Sequence, residues 1–79
     1  MQLQYDNIMK AQKVKLNIWQ IRTGKAIGIP ELAERTGIGK SSLYNYENNK
    51  TSPPLEALYK IAVALDVPMH ELYYIAEKV

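Results

Sequence analysis

The feature that most limits the fold of this chain is the three-residue connection Gly37-Ile38-Gly39 between two short helical segments. The segment before it, residues 29–36, carries Pro30 in its first turn, where a missing N–H breaks no helical hydrogen bond. Gly37 can adopt the positive φ that ends a helix, and a second helix is predicted over residues 40–47. Because the connection is so short, the two helices must cross at a steep angle.

One further helix is predicted on each side of this pair. The earlier one runs from Ile18 to Lys25, with Asn17 as its N-cap and Gln20 at the third helical position. The later one starts at Ser52-Pro53-Pro54 and ends before Asp66, and its apolar residues recur with the helical period. We expect the following residues in the core: Trp19, Leu55, Leu58, Ile61, Ala62 and Leu65.

The two ends of the chain are predicted to differ. Residues 1–12 show no period and are expected to form a flexible arm ahead of one domain that spans residues 13–79. Residues 13–18 alternate polar and apolar side chains, which is typical of a short strand. Pro68 is expected to open a fifth helix that carries Met69, Leu72, Tyr73 and Ile75. The predicted fold class is therefore all-α, a compact five-helix domain with a short N-terminal strand or flexible arm.

Composition excludes several kinds of chemistry. The chain has no Cys and one His, so it lacks disulfides, the usual ligands of a zinc site and the means for a Ser-His-Asp triad. It shows no nucleophile with a base, no paired carboxylates and no phosphate-binding loop, so we expect neither an enzyme nor a cofactor. Its first residues lack the basic and apolar regions of a signal peptide, and it shows no apolar run of the roughly 18–20 residues that cross a bilayer. A cytoplasmic protein without a membrane partner is expected.

Charge is polarised along the chain, although the formal net charge is only +2. Residues 1–27 carry +4, residues 28–52 are neutral, and residues 53–79 carry −2. Near-neutrality of the whole chain therefore does not exclude a polyanionic partner. Lys10, Lys13 and Lys15 serve either as a solvated face or arm, or as contacts to a nucleic-acid backbone.

The helix predicted over residues 40–47 presents a polar outer face without an acidic side chain. Donor-bearing side chains of this kind suit phosphate oxygens and the base edges of a major groove, whereas an ordinary solvated helix is the alternative. The inner positions of the two crossing helices are apolar or small: Leu32, Ala33, Ile38, Leu43 and Tyr46. The outer positions of the second helix are Lys40, Ser41, Ser42, Tyr44 and Asn45.

Residues 18–72, about two thirds of the chain, resemble the Cro/C1-type (XRE-type, lambda-repressor-like) helix-turn-helix family of DNA-binding regulators. The resemblance is carried by ELAERTGIGKSSLYNYENNK at 31–50, PPLEAL at 53–58, IAVALDV at 61–67 and Glu71-Leu72. These features together are much more specific than any one of them: the turn, the leucine-rich helix and the Ala-Leu-Asp-Val sequence at the end of that helix. It implies a lambda-repressor-like DNA-binding domain with its helix-turn-helix motif over residues 29–48.

The resemblance also implies roles for individual residues. Lys40, Ser41 and Asn45 match positions that read bases. Ser42 and Tyr44 match flanking positions that contact sugar-phosphate or base, and Asn48, Lys50 and Thr51 match a segment that contacts phosphate. Arg22 and Glu47 match a structural ion pair between the first and third helices. The sequence departs from the family pattern at Ile29, where Gln is frequent, and at Gly39, where Ser or Thr is usual.

These residues predict a sequence-specific transcriptional regulator, acting as a repressor, whose homodimer binds a near-palindromic operator in double-stranded DNA through residues 40–47. The alternative is an antitoxin-like or other protein-binding module that takes a small protein partner and binds DNA secondarily. The dimer interface is open at this point. Either the strand around residues 13–18 pairs between subunits, or the fifth helix packs against its copy.

Overall fold

The computed structural model describes residues 12–77. Most of the arm expected at residues 1–12 lies outside the described residues, and Gln12 already belongs to a strand. The elements, in chain order, are β1 (Gln12–Leu16), α1 (Ile18–Gly24), α2 (Ile29–Thr36), α3 (Lys40–Glu47), α4 (Leu55–Leu65), a 3₁₀ turn (Met69–Leu72) and β2 (Tyr73–Glu77). The two helices on either side of the short connection are confirmed at the predicted bounds, and α4 begins at Leu55, just after the two prolines.

The predicted fifth helix is wrong. Pro68 opens only the 3₁₀ turn, and the chain then extends as β2, which pairs antiparallel with β1. Val14 lies opposite Ile75, and Lys15 lies opposite Tyr74. Tyrosine and isoleucine favour strands, and β1 supplies the backbone partners that make an extended conformation stable. The described fold therefore has four α-helices and a two-stranded sheet, not five helices.

Asn17 joins the beginning of the fold to its end. It occupies the N-cap position of α1, as predicted, but its side chain caps no helical N–H. Instead, its backbone N–H donates to the carbonyl oxygen of Leu72 at 2.8 Å, and its Nδ2 donates to that of Glu71 at 3.2 Å. These bonds fix the start of α1 against the 3₁₀ turn, next to the end of the sheet where Leu16 pairs with Tyr73.

The core lies where the four helices and the 3₁₀ turn meet. The buried apolar residues are Ile18, Ile27, Ile29, Leu32, Leu43, Leu58, Ile61, Ala62, Leu65 and Leu72. Ala33, Ile38 and Tyr46 pack against this core while partly buried, as their positions in the two crossing helices and the turn between them predict. Two predicted core residues are wrong, because Leu55 is 73% exposed and Trp19 is 56% exposed.

Each α-helix is followed within two residues by a residue in the left-handed conformation. These residues are Ala26, Gly37, Asn49 and Asp66. After α1, α3 and α4 the next backbone N–H turns back onto the last helical turn, as in Lys50 N–H to Asn45 O at 2.9 Å. These closures satisfy the carbonyl groups at the helix ends and keep the connections short.

Gly37 and Gly39 allow a matched test of this geometry. Gly37 has φ of 74°, whereas Gly39 has φ of −63°, and neither has a neighbouring atom within 4 Å of an added Cβ. We expect Gly37→Ser to lower the free energy of unfolding by about 1–2 kcal/mol, because a side chain is strained in the left-handed region. Gly39→Ser should raise it by a few tenths, since serine is a good N-cap. Urea denaturation of both variants checks this, and equal effects would contradict it.

Candidate nucleic-acid interface

α3 has one side in the core and the other side on the surface. Leu43, which is 0% exposed, is the buried residue of this helix. With 3.6 residues per turn, Ser41 and Asn45 lie one turn apart on the side away from Leu43. The buried leucine therefore determines which side chains the helix presents to solvent.

The turn before α3 is held by Thr36, whose role the sequence reasoning missed. The Thr36 hydroxyl donates to the carbonyl oxygen of Leu32 at 2.8 Å and accepts the N–H of Ile38 at 3.1 Å. Gly37 N–H donates to the carbonyl oxygen of Ala33 at 2.8 Å. A Thr-Gly pair at a helix end was the available signal, because a hydroxyl there can bond to the backbone of the following turn. Together these bonds set the direction in which α3 leaves α2.

Arg22 and Glu47 fasten α1 to the end of α3. Arg22 Nε donates to Glu47 Oε2 at 2.6 Å and Nη2 donates to Oε1 at 2.9 Å, while Nη1 donates to the carbonyl oxygen of Ile27 at 3.1 Å. The two side chains are only 10% and 5% exposed. Hydrogen bonding to Glu47 raises the pKa of Arg22 above its ordinary value, against the opposing effect of burial. The structure thus brings together the two residues expected to pair.

This pair also removes a negative charge from the surface of α3. Glu47 is the acidic residue of that helix, and its carboxylate is directed inward and neutralised by Arg22. Lys40 remains exposed at the other end of the helix. On α2, Arg35 is engaged with Glu31 at 2.5 Å and with the carbonyl oxygen of Ala64 at 2.8 Å, so its guanidinium serves the fold.

The eight residues assigned to DNA contact all lie on α3 or in the turn that follows it. Lys40, Ser41, Asn48, Lys50 and Thr51 are exposed, Tyr44 is 50% exposed, and Ser42 and Asn45 are half-buried. None of these eight side chains makes a hydrogen bond or an ion pair with another residue of the 12–77 region. Their donors and acceptors are therefore available to a ligand.

The two departures from the family pattern have a clear structural setting. Ile29 is 3% exposed and belongs to the core, so its side chain offers no contact to a phosphate. Gly39 is the N-cap of α3 and has no side chain to cap the helix. At these two positions only backbone groups are available to a phosphate.

Residues 12–77 show little that suggests another kind of site. Among them, no group of three or more His, Asp or Glu side chains is placed to hold a metal ion. No helix in the same region has the length and apolar character that a bilayer-spanning segment requires.

Comparison with known proteins identifies relatives for most of the chain. A family model described as helix-turn-helix matches residues 20–72. The HTH-type transcriptional regulator SinR of Bacillus subtilis is 38% identical over 65 residues, which cover 81% of this chain and 55% of SinR. The HTH-type transcriptional regulator SutR of Escherichia coli is 36% identical over 58 residues, which cover 73% of this chain and 33% of SutR. The chain thus spans about half or less of the length of these relatives.

Solved structures support the same relationship. The restriction-modification controller protein C.AhdI from Aeromonas hydrophila matches with a TM-score of 0.68 at 27% identity, over 70% of this chain and 83% of that one. The N-terminal DNA binding domain of SinR from Bacillus subtilis matches with a TM-score of 0.64 at 38% identity. That match covers 68% of this chain and 80% of the SinR domain.

Proposed function

Because the chain belongs to the helix-turn-helix family, of Cro/C1 type, we propose that it is a sequence-specific DNA-binding transcriptional regulator. The observation that carries the proposal is the outer face of α3. This face is polar, free of an exposed acidic side chain and held by a buried leucine and a buried ion pair. A face of this kind is suited to enter a major groove without electrostatic repulsion.

In this proposal α3 reads bases and the turn after it contacts the backbone. Asn45 is able to form two hydrogen bonds with the major-groove edge of an adenine, accepting from N6 and donating to N7, and Lys40 is able to donate to a guanine. Ser41 lies between them in the chain and offers a hydroxyl to either base type. Asn48, Lys50 and Thr51 contact phosphate, and Ser42 and Tyr44 contact the adjoining sugar-phosphate or base.

The proposed active form is a homodimer on a near-palindromic operator. Few of the exposed cations lie on α3, so one copy neutralises few phosphates and binds non-specific DNA weakly. Two copies related by a two-fold axis place their α3 helices in successive major grooves, roughly 34 Å apart. Occupancy of such a site represses transcription by blocking access to the promoter.

Selection from a random DNA library, followed by fluorescence anisotropy, tests the proposal. A selected near-palindromic site should be bound at least about a thousandfold more tightly than random DNA at the same salt concentration. Equal, weak affinity for both would contradict DNA reading and would favour the protein-binding alternative.

Asn45 and Lys50 should respond differently when each is replaced by alanine. Asn45→Ala should cost about 1–3 kcal/mol on the selected site and relax discrimination at one base pair. Lys50→Ala should weaken binding to all sequences alike and reduce the salt slope by about one per copy. Lys25→Ala, at an exposed lysine outside the eight residues, is the matched control and should change little. A change of sequence preference in Lys50→Ala would contradict its role.

A further inference from the structure

α4 has an apolar side on the surface as well as its buried side. Leu55, Tyr59 and Val63 are 73%, 61% and 62% exposed. Their spacing of four residues places them in one row along the helix, which we call the outer row of α4. Such a row is unusual in a small domain, since an outer helix face normally carries polar residues.

Two charged residues lie along one flank of the outer row. Glu56 and Lys60 are exposed and follow Leu55 and Tyr59, respectively, by one position. Their spacing would allow an ion pair within the helix, yet no such pair forms among the described ion pairs, which are Arg22–Glu47 and Arg35–Glu31. Both charges are thus available to a partner at the same surface.

The outer row and its charged flank are complementary to themselves. In an antiparallel pair of α4 helices centred on Tyr59, Leu55 of one copy lies opposite Val63 of the other. A two-fold axis brings each charged flank against the same flank of the other copy, so Glu56 faces Lys60 twice. Apolar contact along the centre and opposite charges along the edge are the arrangement that a specific interface requires.

A second exposed apolar patch among the described residues suits a second copy less well. It lies on the sheet, where Val14 and Ile75 are 61% and 55% exposed. Pairing of β1 with its own copy would bring Lys13 and Lys15 of the two chains together, and like charges across strands are destabilising. β1 also already has a partner strand within its own chain.

We propose that the outer row of α4 is the surface through which two copies of this chain associate. This interface would serve the regulatory dimer of the proposed function, and the inference rests on that function to this extent. The outer row of α4 differs from both dimer interfaces considered from the sequence, which were the strand around residues 13–18 and the fifth helix. The contact is one helix face per copy, so the dissociation constant should be roughly micromolar, with association favoured further on DNA that carries two half-sites.

Sedimentation of the full chain without DNA, over a range of concentrations, tests the inference. Val63→Lys should raise the dimer dissociation constant at least about tenfold, because it places a charged side chain against the apolar Leu55 of the other copy. Val14→Lys is the matched control, with the same substitution at the same exposure, and should leave the constant unchanged. A wild-type chain that stays monomeric, or a Val14→Lys chain that dissociates as much as Val63→Lys, would overturn the inference.

A charge exchange makes the test specific to the proposed contact. Glu56→Lys and Lys60→Glu should each weaken the dimer at least about threefold, and the double exchange should restore it. Failure of the double exchange to restore the dimer would contradict the antiparallel arrangement. Because these measurements contain no DNA, they are independent of the proposed function, which fails separately if an intact dimer does not discriminate between DNA sequences.

Discussion

Replacing Leu43 with alanine is expected to lower the free energy of unfolding by about 2–5 kcal/mol. Leu43 is fully buried and is the residue through which α3 packs into the core. Its truncation removes apolar contacts and leaves a cavity between α3 and the rest of the core. A small domain has only about 5–15 kcal/mol of stability, so much of it would be lost.

Leu55→Ala is the matched control for this experiment. Leu55 is 73% exposed, so the same truncation should change the free energy of unfolding by less than about 0.5 kcal/mol. Both variants are compared by urea denaturation at a protein concentration low enough to keep the chain monomeric. A larger loss from Leu55→Ala than from Leu43→Ala would contradict the assignment of these two residues to surface and core.

Removing the charge of Glu47 is expected to lower the free energy of unfolding nearly as much as Leu43→Ala does. Glu47→Leu leaves the guanidinium of Arg22 buried without its ionic partner, which should cost about 3 kcal/mol. The site lies near the edge of the core, so we place the value at the lower end of the range for buried pairs. Thermal or urea denaturation measures the loss.

The double variant Arg22→Met/Glu47→Leu tests whether the loss of stability comes from the buried charge that is left unpaired. An apolar pair of similar volume should recover most of the stability, because no charge is then left unpaired. The double variant should also keep its affinity for DNA, since the ion pair is proposed to orient α3 and not to contact DNA. If Glu47→Leu alone lowers the free energy of unfolding by less than about 1 kcal/mol, the pair behaves like an exposed one.

Local signals were sufficient for the helices around the turn. Pro30 and Gly37 mark the bounds of α2 through their own backbone preferences, and these do not depend on the rest of the fold. The burial of Leu32 and Leu43 follows from the geometry of two crossing helices. The pairing of Arg22 with Glu47, by contrast, rested on resemblance to a family, because nothing local connects residues so far apart in sequence.

Long-range contacts account for the errors. Met69, Leu72 and Ile75 are spaced as in a helix, yet the pairing of β2 with the distant β1 decides the conformation of Ile75. Leu55 continues the apolar period of α4, but at 73% exposure it lies beyond the edge of the core. The eight residues assigned to DNA contact remain a prediction, although all of them lie on or directly after α3.

The pairing of β1 with β2 makes the domain nearly a closed ring. The strands begin and end the described chain, and their register sets Gln12 opposite Glu77. Closing so long a loop has a large entropic cost, so the strands are expected to pair only after the helices have brought Leu16 and Tyr73 together. The same geometry places the first and last described residues, Gln12 and Glu77, side by side at one end of the sheet.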